Sequence, residues 1–255
     1  MKEIKLKTNL SILPILFVLI VACKKPVDID EGGNGKIKSA SGKVVDSRGV
    51  PIKDVKVVIV NNYPGYHETL IGHTNAQGNY EIKLPEIGTF YASAEMKQLF
   101  NDKEYLIRMH SENNSVFGPE GGAQAVRNFK WILGGVVEGS TLGYYGGAIG
   151  IHADFGSLID PENVEFTLTP VGKLIDGSNG QTLKLKGGAP FTEFYGKLIG
   201  IPIGIYDVSA VNVANQQQLR LKIKDSTNEL ATKVRISFQP NTLTGENMAY
   251  LIFSE

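Results

Sequence analysis

From residue 40 onward, apolar and polar residues alternate in short runs. In "YEIKL", Tyr80, Ile82 and Leu84 point one way, while Glu81 and Lys83 point the other. "VEFTLT" sets Val164, Phe166 and Leu168 against Glu165, Thr167 and Thr169, and "LRLKIK" sets Leu219, Leu221 and Ile223 against Arg220, Lys222 and Lys224. "VRISFQ" and "AYLIFS" continue the pattern to the C-terminus. A period of two is the signature of a strand with one buried face. Glycine and Asn/Asp clusters punctuate the runs. Many short strands with turn signals predict an all-β chain of antiparallel sandwiches. A chain of 255 residues, 42% of them hydrophobic, has material for two modest cores. One short helical turn is expected around Ala94 to Phe100 and no longer helix after residue 22.

The first residues follow other rules. Lys2, Lys5 and Lys7 precede the apolar run Ile12 to Ala22, "ILPILFVLIVA". The run suits a signal peptide and is shorter than the roughly 20 residues a spanning helix needs. It ends in Ile20-Val21-Ala22-Cys23, which resembles the bacterial lipobox. The resemblance implies cleavage before Cys23, a diacylglycerol thioether on its sulfur and an acylated amino group. Lipid chains on Cys23 would anchor the protein to a membrane with no spanning helix. Cys23 is the single cysteine, so no disulfide is available. Removing Lys2, Lys5, Lys7 and Glu3 from 26 basic and 26 acidic residues leaves 23 and 25, a net charge of −2. That near-neutral balance argues against nucleic acid as a partner. "KKPVDIDEGGNGK" after Cys23 reads as a flexible tether. Its acidic residues also resemble the signal that sends some lipoproteins to the outer face of the outer membrane. The expected localisation is therefore the outer membrane, lipid-anchored and exposed at the cell surface.

"SGKVVDSRGVPIKDVKVVIV" and "GHTNAQGNYEIKLPEIGTFYASA" resemble the carboxypeptidase regulatory-like domain, a sandwich related to transthyretin. The resemblance rests on Gly42, Val44, Asp46, Gly49, Pro51, Val55 and Val57, then on Thr74, Gly78, Tyr80, Ile82, Leu84, Pro85 and Gly88. It covers residues 38–95 and is expected to extend through "KEYLIRMH" and "AVRNFKWIL". The later half echoes the first. Ile87 to Ala94, "IGTFYASA", aligns without gaps on Ile203 to Ala210, "IGIYDVSA", and "VKVVIV" and "VEFTLT" lie at comparable positions upstream. The expected organisation is a signal peptide at 1–22, a tether at 23–37, a transthyretin-like sandwich at 38–135 and a second, similar sandwich at 136–255. The glycine-rich tract Gly134–Gly147 would hold the junction.

In metallocarboxypeptidases the regulatory-like domain accompanies the zinc peptidase and is not the catalyst, so the resemblance implies no activity. None of His67, His73, His110 and His152 begins a zinc-peptidase motif, and no metal or cofactor is expected. No nucleophile elbow or phosphate loop occurs. Aromatic residues in loops remain. Tyr63, Tyr66 and His67 flank Pro64-Gly65, "LGYYGG" carries Tyr144 and Tyr145, and "FTEFYG" carries Phe191, Phe194 and Tyr195. Exposed rings beside polar groups suit a sugar-binding or protein-binding platform. Tyr63, Tyr66, His67, Tyr144 and Tyr145 are the candidate ligand residues, and Cys23 is the lipidation site. The expected function is that of a non-enzymatic membrane-anchored binding or assembly module, an accessory to outer-membrane glycan or nutrient uptake with a glycan or an outer-membrane protein as partner. The alternatives are a structural component of a fimbria- or adhesin-like assembly and a hydrolase.

Overall fold

A computed structural model describes residues 39–119, 125–138 and 143–255. The signal peptide, Cys23 and the tether lie outside the described residues. The chain is all-β, with one 3-10 turn at Pro161–Asn163 among the described residues. The first sandwich is built from β1 (Ser39–Val45), β2 (Lys56–Asn61), β3 (Thr69–His73), β4 (Asn79–Lys83), β5 (Phe90–Phe100), β6 (Lys103–Arg108), β7 (His110–Ser111), β8 (Ala125–Val126) and β9 (Phe129–Lys130). One sheet runs β4-β1-β9-β7, with β8 also on β1, and the other runs β3-β2-β5-β6. A short hairpin follows, β10 (Gly135–Val136) with β11 (Tyr144–Tyr145). The second sandwich comprises β12 (Gly147–Ala153), β13 (Val164–Pro170), β14 (Leu183–Lys186), β15 (Lys197–Ile201), β16 (Ile205–Asn212), β17 (Gln218–Ile223), β18 (Val234–Ser237), β19 (Gln239–Pro240) and β20 (Asn247–Ser254). Its strands follow the order β14-β13-β16-β17-β20-β12-β15, with β18 on β16 and β19 on β20.

The two sandwiches share one plan. In each, the first strand lies parallel to the last, β1 beside β8 and β9, and β12 beside β20. All other strand pairs in both sandwiches are antiparallel among the described residues. Val57 faces Ala94 and Ile59 faces Ala92, and in the second sandwich Phe166 faces Ala210 and Leu168 faces Val208. Aligning "IGTFYASA" on "IGIYDVSA" therefore matches "VKVVIV" to "VEFTLT" residue by residue. Phe90 bridges to Phe117, and its counterpart Tyr206 faces Ile236. The crossing between sheets is also repeated. β6 leaves β5 and continues as β7 on β9, while β17 pairs first with β16 and then with β20. Chance similarity between alternating strands would not reproduce these registers.

Local chemistry explains the elements. Asp46 closes the β1–β2 turn by accepting from the backbone N–H groups of Arg48 and Val50, both at 2.8 Å, while Gly49 takes φ +86°. Gly42 must be glycine, because a Cβ there would lie 1.9 Å from the Arg127 carbonyl oxygen. Beside it, the buried Tyr80 hydroxyl donates to that same oxygen at 2.5 Å. The helical turn expected at Ala94–Phe100 is absent, since β5 continues to Phe100 and pairs with β6. Asn101 and Asp102, both at positive φ, form the tight hairpin turn that imposes this pairing. Tertiary pairing here overrides the helix preference of Glu95, Met96, Lys97 and Gln98.

Both sandwiches fall in one compact unit, Gly35–Glu255. The buried Tyr105 on β6 donates its hydroxyl to the Phe238 carbonyl at 2.9 Å, and Lys103 reaches the same oxygen at 3.4 Å. The glycine tract seats the hairpin against β15. A Cβ on Gly134 would lie 2.4 Å from the Gly200 carbonyl, and one on Gly146 would lie 2.2 Å from that of Ile201.

Candidate functional site

The outer face of β12 and β20 carries an open groove of about 750 Å³. Ala249, Leu251 and Phe253 point inward and are buried, so Met248, Tyr250 and Ile252 occupy the outward face. Tyr250 lies across Gly150, where a Cβ would come within 2.6 Å of its ring. The missing side chain leaves room for the ring over the strand. It stays 44% exposed. His152, on the same face of β12, stacks beside it with ring centroids 6.4 Å apart and planes 22° apart. Lys224 approaches the Tyr250 ring at 5.6 Å.

Two loops form one rim. Tyr195 donates its hydroxyl to Asp160 Oδ1 at 2.9 Å, tying the segment before β15 to the one after β12. Phe155, Leu158 and Phe191 stand almost wholly exposed on these segments. Tyr144 and Glu246 also line the groove, and the Tyr144 ring meets Phe194, next to Tyr195, edge to face at 6.4 Å. Burial, then the nearby Lys224 charge, holds the His152 imidazole below its ordinary range. Burial, then the charge of Glu246 and the neighbouring Tyr250, raises the Tyr144 phenol. The bond to Asp160 raises the Tyr195 phenol. At neutral pH the groove therefore offers the neutral imidazole of His152 and the neutral phenols of Tyr144 and Tyr195, with Asp160, Glu246 and Lys197 also in its lining, around an exposed ring.

A second cavity of about 370 Å³ lies at the junction of the sandwiches. Trp131, Met109, Tyr145, Arg108 and Asn247 contribute to its wall, and Tyr144 and Glu246 line it as well as the groove. His110 Nδ1 and the Tyr145 hydroxyl lie 2.5 Å apart, and burial raises the Tyr145 phenol.

The sequence-derived candidates fall in two places. Tyr63 and Tyr66 meet edge to face, ring centroids 5.8 Å apart, at 43% and 41% exposure. Gly65 at φ +84° and a bond from Tyr66 N–H to the Tyr63 carbonyl make the turn between them, and exposed His67 follows. None of the three lines the groove or the junction cavity. Tyr144 and Tyr145 are half-buried in β11, at the junction. Tyr250, His152, Gly150 and Asp160 did not emerge as ligand residues from the sequence. The available signal was β20, which is apolar on both faces although alternation predicts one. Among the described residues, no group of three or more His, Cys, Asp or Glu side chains converges as metal ligands would.

No protein-family model matches the sequence, and no curated protein is similar to it. Among solved structures, the Bacillus anthracis TIE protein is similar at 16% identity and TM-score 0.30, over 84% of this chain. This chain spans 33% of that protein's length. The major pilin protein T-13 of Streptococcus pyogenes is similar at 11% identity and TM-score 0.24, over 87% of this chain and 97% of that one. GBS52, the minor pilin of Streptococcus agalactiae, is similar at 12% identity and TM-score 0.29, over 85% of this chain and 95% of that one. At these TM-scores the likenesses assign no family and no role to this chain.

Proposed function

We propose that this protein is a non-enzymatic, lipid-anchored module of the outer-membrane surface that binds a glycan in the groove over β12 and β20. The observation that carries the reading is the Tyr250 ring, seated over Gly150, stacked with His152 and open to solvent. A flat aromatic face takes the apolar C–H face of a sugar ring, and carboxylates and ammonium groups around it take the hydroxyls. Asp160, Glu246 and Lys197 line the groove for that role. The anchoring half of the reading rests on Ile20-Val21-Ala22-Cys23 behind an apolar run. The resemblance of the first sandwich to a regulatory-like domain fits an accessory role.

Glycan-array binding by the full chain in detergent tests the site. Tyr250→Ala is expected to abolish the signal of any glycan that binds. Undiminished binding by that variant would remove the groove from the proposal, and loss on Tyr63→Ala and Tyr66→Ala would transfer the role to the β2–β3 turn. A Cys23→Ser variant is expected to leave the membrane fraction, and its retention there would refute lipid anchoring.

A structural role in a surface assembly is a second reading, favoured by β3. That strand pairs with β2 alone among the described strands, carries no lysine or proline, and exposes Ile71. Such an edge is open to pairing with another chain. Polymers in electron micrographs of the membrane fraction, lost on Ile71→Lys, would support it.

A further inference from the structure

The strands that end the sheets are not alike. β4 exposes Glu81 and Lys83, β14 exposes Lys184 and Lys186, and β15 exposes Lys197. Charges on an edge discourage another strand from pairing there. β3 exposes Thr69, Ile71 and His73 instead, with Ile71 at 55%.

The hydrogen-bond phase of β3 follows from its pairing with β2. The Glu68 carbonyl accepts from the Asn61 N–H at 2.9 Å, and the Thr74 N–H donates to the Val55 carbonyl at 3.1 Å. Both contacts fall in the β2–β3 register, so Leu70 and Gly72, at the same phase, turn their N–H and C=O groups to β2. Thr69, Ile71 and His73 alternate with them and turn theirs outward. β3 has no second neighbour among the described strands, so these groups stand free.

The free row is symmetric about Ile71. An identical strand laid antiparallel, Ile71 against Ile71, sets Thr69 against His73 on either side. Every free donor then meets an acceptor of the other copy. Like charges do not face one another in this register. Glu68 falls opposite Thr74, and Lys56, beside His73 on β2, is paired with Glu95 at 2.9 Å. The two Ile71 side chains meet on the outer face as a β-branched pair, with Val58 of each copy next in the row.

We propose that β3 is a self-association edge, at which two copies of this chain pair antiparallel about Ile71 into a closed two-fold dimer. The inference rests on the second reading above, in which β3 meets another chain, and names that chain. The joined sheet runs β6-β5-β2-β3-β3-β2-β5-β6. An edge of five residues buries less than the roughly 800 Å² per partner of a stable complex, so the dimer has a Kd on the order of 10–100 μM in solution. Anchoring through Cys23 would confine copies to one surface and favour the pairing there.

Sedimentation equilibrium of the full chain, in density-matched detergent with micelles in excess, tests the pairing up to about 500 μM. The wild type is expected to move from monomer to dimer and to stop at dimer. Ile71→Lys sets two ammonium groups face to face and Ile71→Glu two carboxylates, so each variant alone should associate at least about tenfold more weakly. Ile71 is exposed, so both variants should keep the wild-type far-UV signal. An equal mixture of the two is expected to regain the dimer, because lysine then faces glutamate. That rescue requires residue 71 to face residue 71, which a slipped register or a different edge would not provide. The proposal is overturned by a wild type that stays monomeric, by Ile71→Lys that dimerises undiminished, or by a mixture that fails to associate. Growth beyond the dimer into open polymers would also overturn it while leaving the assembly reading standing. A membrane fraction without polymers would count against that reading and not against the dimer.

Discussion

Tyr105→Phe should weaken both sandwiches at once. The hydroxyl donates across the junction to the Phe238 carbonyl at 2.9 Å, and both side chains are essentially buried. Phenylalanine keeps the ring and opens no cavity, so the change isolates one hydrogen bond. The Phe238 oxygen keeps only the longer contact with Lys103, at 3.4 Å. A buried acceptor left poorly partnered costs about 1–3 kcal/mol. In a chain of this size each kcal/mol moves Tm by about 2–4 °C, so a central value of about 2 kcal/mol corresponds to about 4–8 °C. Calorimetry of the wild type should show one cooperative transition, and Tyr105→Phe should lower it by that amount. Tyr206→Phe serves as a comparison, because that hydroxyl bonds to Pro202 within the second sandwich, at 2.7 Å. Two separate wild-type transitions, neither of them shifted by Tyr105→Phe, would refute the claim that this bond couples the sandwiches.

Other outcomes follow from the same geometry. Gly42→Ala should prevent stable folding, since its Cβ would meet a carbonyl at 1.9 Å where β1 meets the end of the first sandwich; loss of soluble protein and of the far-UV strand signal would show it. Asp46 should make the first sandwich sensitive to acid. Burial alone would raise its carboxyl, but bonds from Val50 and Arg48 outweigh that and hold it below the ordinary value of 3.8. Its stabilisation is therefore present above pH about 4 and is lost as pH falls through the lower folded-state value, so Asp46→Asn should flatten the stability profile in that window. His152 should titrate below 6.5 in an NMR pH series, because burial and then Lys224 disfavour its charged form, and Lys224→Gln should move the midpoint upward. Since the folded state disfavours the charged imidazole, the His152 contribution to stability is full above about pH 6.5 and declines as pH falls through that value.

Strand after strand was legible in the sequence because a half-buried strand writes its period directly into residue type. The turn at Asp46–Pro51 was legible for a similar reason, since Asp, Gly and Pro act within a few residues of themselves. The repeat was visible as eight aligned residues, Ile87–Ala94 on Ile203–Ala210. Only the registers of β2 on β5 and β13 on β16 turned that echo into a shared architecture. The parallel closure of β1 on β9 and β12 on β20 left no periodic trace, because alternation is the same in either direction.

The groove and the cavity belong to tertiary structure alone. Gly150 and Tyr250 are a hundred residues apart, and their contact exists because β12 and β20 lie side by side in register. Arg108 and Asn247 come from different sandwiches and share a cavity because Tyr105 and the glycines at 134 and 146 hold those sandwiches close. Local sequence determined what each strand could bury. Which side chains would meet across the buried layers was decided by pairing and packing, which act between residues that no local pattern connects.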